Sequence, residues 1–159
     1  VTAFAAETNN GTQDTEITVN GSFVSGTAGS SVISVDIAWD AMDFTYTAAS
    51  QGTWNPATHA YDGATAGGWS DNTPAITVTN HSNVAVNATL GFTPDVTGVV
   101  GTFTEASGTA NDGVLELATA EGTEVANAPT ATANFGISGA AIDADQQLGT
   151  ITVAIAKAE

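Results

Sequence analysis

Two histidines, His59 and His81, are the side chains of this sequence best suited to proton transfer near neutral pH, and neither has the companions that catalysis needs. Both sit among turn-type residues, as expected of exposed loop histidines. Gly-x-Ser-x-Gly is absent, as are a phosphate-cradling glycine loop with lysine and any His/Cys spacing suited to zinc. Asp36, Asp40 and Asp43 are close enough in sequence to suggest a carboxylate pair for glycoside hydrolysis. In an extended strand, however, Asp36 and Asp40 share the face opposite Ile37 and Trp39, which reads as the polar outside of a sheet. Asp143 and Asp145, beside Gln146 and Gln147, offer oxygen ligands to calcium without EF-hand spacing, and an ordinary acidic turn is the simpler account. Lys157 is the single basic residue and the only amine available for an isopeptide bond, and its place near the chain end argues against one. The residues therefore predict a protein that is not an enzyme and carries no cofactor.

Aromatic side chains are the remaining functional candidates. Trp54, Tyr61 and Trp69 fall in a stretch punctuated by Gly52, Pro56, Gly63 and Gly68, which reads as loop. Three uses are open for them: packing a long loop onto the core, burial against a neighbouring subunit, or stacking on sugar rings.

Composition removes several partner classes. Seventeen acidic residues against one basic residue leave a formal charge of -16, which repels phosphate backbones and anionic lipid headgroups, so neither nucleic acid nor membrane is an expected partner. No apolar run approaches the roughly 20 residues of a membrane-spanning helix. Cysteine is absent, so stability must come from packing and not from disulfides. Only 11% of the chain is charged, against about 25% in an average soluble protein, so the polar surface falls to Thr, Ser, Asn, Gln and Gly.

The elements that carry these residues read as strands. Apolar and polar residues alternate in Ile17–Phe23, in Ile33–Trp39, in Ala75–Thr79, in Val84–Phe92, in Val114–Leu117, in Ala131–Ile137 and in Gly149–Ile155. The alternation slips phase at Asp40-Ala41 before Met42, Phe44 and Tyr46, which predicts a bulge or a bend between sheets. Asn80-His81-Ser82-Asn83 is turn-rich, so Ala75–Phe92 reads as a hairpin. No window shows a helical stripe, and Thr, Val and Ile dominate the strand candidates. The fold class predicted is all-β: a single antiparallel β-sandwich, immunoglobulin-like or jelly-roll, with about eight strands and very little helix.

Val1-Thr2-Ala3-Phe4-Ala5-Ala6 resembles the end of a secretory signal, with Ala3-Phe4-Ala5 as the small-x-small element, and this predicts a secreted, extracellular or cell-surface protein. Residues 1–14 are expected to form an N-terminal extended segment and residues 15–159 the β-sandwich domain. Val1, Ala3, Phe4 and Ala5 are the candidate assembly residues, because an extended terminal segment can complete the open sheet edge of another copy.

The run from Gly52-Thr53-Trp54-Asn55-Pro56 to Trp69-Ser70, with Ile76-Thr77-Val78-Thr79-Asn80-His81-Ser82-Asn83, resembles secreted β-sandwich surface proteins of Gram-positive bacteria. In broad architecture the chain is also similar to donor-strand pilins and to matrix filaments of the TasA kind. The resemblance implies a structural subunit of an extracellular filament, pilus or surface assembly, a non-covalent homopolymer whose partners are copies of itself. A carbohydrate-binding or adhesin module, with Trp54, Tyr61 and Trp69 as its platform, is the alternative expectation.

Overall fold

A computed structural model of the chain describes Gly11, residues 14–105 and residues 113–159. The chain divides into two units, Val1–Ser30 and Ser31–Glu159. In the first, residues 14–30 form neither helix nor strand and every one is exposed. The strand expected at Ile17–Phe23 is thus absent, although Ile17, Val19 and Phe23 keep one alternating phase. A strand needs a hydrogen-bonded neighbour as well as a pattern, and among the described residues this run has none.

The second unit is all-β and sandwich-like. Its described residues form eleven strands: β1 (Val35–Trp39), β2 (Tyr46–Thr47), β3 (Thr53–Asn55), β4 (Ala60–Asp62), β5 (Gly68–Trp69), β6 (Ala75–Asn80), β7 (Val86–Pro94), β8 (Val99–Glu105), β9 (Val114–Leu117), β10 (Thr130–Gly139) and β11 (Gly149–Lys157). Four form one antiparallel sheet in the order β1-β6-β10-β8, and three form the other in the order β11-β7-β9. Among the described residues, helix is limited to one 3-10 turn, Val125–Asn127.

From β6 to β11, successive strands alternate between the two sheets, so no two consecutive strands in this run pair with each other. This corrects the hairpin expected over Ala75–Phe92. β6 and β7 lie in opposite sheets, and Asn80-His81-Ser82-Asn83 carries the chain across the core. Asn80 is wholly buried; its Nδ2 donates to Val84 O at 3.0 Å and Ala118 O at 2.8 Å, while Oδ1 accepts from Ser82 N at 2.9 Å. A buried side chain that satisfies three backbone groups holds a corner that a two-strand ladder could not supply.

Each sheet has one apolar and one polar face. On β6, Ile76 and Val78 point into the core, while Thr77 and Thr79 point outward and hydrogen-bond Thr132 and Thr130 of β10 at 3.1 and 3.3 Å. Val86, Ala88 and Leu90 of β7, with Leu115 and Leu117 of β9, complete this part of the core. Val99, Phe135 and Ile137 form its other part, where the Phe135 ring centroid lies 5.0–5.7 Å from those of Phe44, Phe92 and Phe103. β8 escapes a pattern reading because Gly101 and Glu105 dilute its inward face. Gly101 is required there, since a Cβ would come within 2.5 Å of Phe92 and 2.6 Å of Phe135.

The phase slip after β1 is a bend. Asp40 N donates to Ala75 O, Asp40 Oδ2 accepts from Ala75 N, each at 3.0 Å, and the chain leaves the first sheet for β2. Lys157 is the last residue of β11, opposite Val86, and not a residue beyond the strand.

Candidate functional site

Two surfaces of the second unit stand out. The first lies between the edge strands β1 and β11. Ile37 and Trp39 of β1, Met42, Ile76, and Ile151 and Val153 of β11 enclose an open apolar cleft of about 360 Å³. A second cavity of about 460 Å³ shares Met42 and Ile151 with it and runs on toward Phe44, Phe92, Phe135 and Leu148. A four-stranded sheet faces a three-stranded one, and β1 and β11 are outer strands of the two. Accordingly Val35, Ile37, Ile151, Val153 and Ile155 are only half-buried, and Trp39 keeps 68% of its surface exposed. Both strands bounding the cleft are sheet edges, with one row of backbone donors and acceptors outside the ladder. Such a surface can accept an extended peptide whose alternate residues are apolar.

The second surface is a β-arm. The pairs Tyr46 with Trp69, Ser50 with Thr65, and Trp54 with Tyr61 keep one register, so β2, β3, β4 and β5 form a single interrupted hairpin from residue 46 to residue 69. Gly52, at φ 86, belongs to this register, because a Cβ there would run into the backbone oxygen of Asp62. The tip is tied by Asn55, whose Nδ2 donates to Asp62 Oδ2 at 2.7 Å and whose Oδ1 accepts from Ala57 N at 2.9 Å. Next to it Trp54 lies 5.3 Å from Tyr61 edge-on and 6.1 Å from the parallel ring of His59, a residue held at φ 51.

The three aromatic candidates are therefore divided. Trp54 and Tyr61 meet on the outer part of the arm, 50% and 47% exposed. Trp69 is at its root, half-buried on the Val99, Phe135 and Ile137 cluster, with Nε1 donating to Ala140 O at 3.0 Å and Tyr46 stacked edge-on at 5.2 Å. The region reads as loop in the sequence because its strands are two or three residues long and lack a buried face. The register signal was the mirrored placement of Tyr46 with Trp69 and Trp54 with Tyr61.

Val1, Ala3, Phe4 and Ala5 lie outside the described residues. Asp143 and Asp145 are exposed in the loop between β10 and β11, and among the described residues no three His, Cys, Asp or Glu side chains gather closely enough to hold a metal ion. His81 Nε2 is 3.2 Å from Asp36 Oδ2. The hydroxyl next to it in sequence, Ser82, is buried and engaged with the Ser34 backbone, accepting from Ser34 N at 3.0 Å and donating to Ser34 O at 3.2 Å. That pair accordingly has a base and an orienter with no free nucleophile from its neighbour.

The chain matches no protein-family model, no curated protein and no solved structure.

Proposed function

We propose that this chain is a structural subunit of an extracellular filament, pilus or surface assembly, polymerising non-covalently by strand exchange between copies. The observation that carries this reading is the apolar cleft between two sheet edges, β1 and β11. A cleft lined by six apolar side chains in a protein of charge -16 is costly to leave wet, and an incoming apolar strand offsets that at about 25 cal/mol per Å² of apolar surface removed from water. The lone basic residue supports an exposed setting: a trypsin-type protease finds only Lys157 to cut, even in the unfolded chain. The threonine-covered outer faces accord with a building role.

Negative-stain imaging of the full chain tests it. Regular fibres are expected; monodisperse monomers at high protein concentration overturn the reading.

The β-arm favours a second reading, a carbohydrate-binding or adhesin module. Trp54 and Tyr61 offer exposed apolar ring surface of the sort that stacks on pyranose rings. Electrophoresis through gels containing soluble polysaccharides distinguishes it: retardation that disappears in Trp54→Ala supports sugar binding, and unretarded migration in every polysaccharide removes it.

A further inference from the structure

Resting on the filament reading, we infer which segment is exchanged and how it pairs: residues 17–23 of a second copy add to the free edge of β11, antiparallel to it, and fill the β1–β11 cleft. Ile17, Val19, Phe23 and Val24 expose 84–90% of their surface in the single chain, although their run alternates like a half-buried strand. Among the described residues, a β-pattern without a partner strand and an apolar cleft without a cover are complementary defects. Adding one strand to β11 also makes the three-stranded sheet four-stranded, matching the sheet it faces.

Side-chain size sets the direction and register. The cleft is aliphatic at Ile37, Ile76 and Val153, and aromatic where it runs on to Phe44, Phe92 and Phe135. Ile17 and Val19 suit the first end and Phe23 the second, which runs the segment against β11. Opposing residues then share a face: Ile17 with Ile155, Val19 with Val153, Gly21 with Ile151 and Phe23 with Gly149. Each large side chain at the aromatic end meets a glycine.

The absence of cysteine makes a cross-link unambiguous. Cα atoms of an antiparallel pair lie about 4.5–5.5 Å apart, within the range that a disulfide spans. Oxidising full-length Val19→Cys/Val153→Cys should produce a reducible ladder of multimers, while Thr18→Cys/Val153→Cys, displaced to the other face, should not. Ile17→Ser/Val19→Ser/Phe23→Ser, changed only at exposed positions and checked for retained folding by near-UV circular dichroism, should lose the fibres. Fibres that persist in this triple variant, without the 19–153 ladder, overturn the assignment and leave the filament reading standing. A cross-linked monomer in place of the ladder overturns exchange between copies. An unaltered chain that never forms fibres, while its 19–153 variant still yields dimers, removes the filament and retains the pairing.

Discussion

The two flanks of the sandwich use the same kinds of residue and reach different ends. Around β9, Leu115 and Leu117 retain 1% and 4% of their surface, packed with Ile76, Val78, Val86 and Leu90. Across the molecule, Ile151, Val153 and Ile155 of β11 alternate just as regularly and are only half-buried, and Trp39 of β1 stands largely in solvent. The difference lies in what each strand faces: β9 packs against the central strands β6 and β10, whereas β1 and β11 are outer strands that border an open cleft. Alternation tells which face of a strand is apolar; the neighbouring sheet decides whether that face is covered.

The largest effect should come from the sealed flank. Leu115→Ala is expected to lower unfolding free energy by about 3 kcal/mol in denaturant titration, as deletion of a fully enclosed side chain does. Asn80→Ala should cost about 2 kcal/mol by orphaning the Val84 and Ala118 carbonyls and the Ser82 amide at the sheet-crossing corner; a loss under about 0.5 kcal/mol would mean that water replaces the side chain there. On the open flank, Val153→Ala in the monomer should cost only about 1 kcal/mol. If that loss equals the one at Leu115, the flanks are equally packed and the comparison fails. Smallest of all, Ile17→Ser should shift monomer stability by less than about 0.5 kcal/mol, the range of exposed substitutions, while acting on assembly; a clear drop in thermal midpoint of the monomer would show that the segment already packs in the single chain.

Much of the fold was legible in the residues. The alternation in Ile33–Trp39, Ala75–Thr79, Val84–Phe92, Val114–Leu117, Ala131–Ile137 and Gly149–Ile155 marked strands that exist, because in each one side faces the core and the other faces water. The hairpin expected at Asn80–Asn83 failed because local turn chemistry does not report where a chain goes next: the same tetrad serves a ladder or a crossing, and the buried Asn80 network selects the crossing. Trp54, Tyr61 and Trp69 were recognisable as a group of candidates, but their separation into an exposed pair and a core anchor depends on register along an arm whose strands are too short to show a period.

Residue types and spacing alone were enough for the all-β class, the strand faces and the excess of negative charge, since each of these depends on neighbours along the chain. The order of strands, the four-against-three mismatch and the open cleft were settled only in three dimensions. They arise from pairings between residues far apart in sequence, such as Val35 with Asn80 and Gly149 with Pro94. Whether an apolar stripe becomes core or contact surface depends on which distant strand arrives to cover it, and a stripe carries no record of that strand.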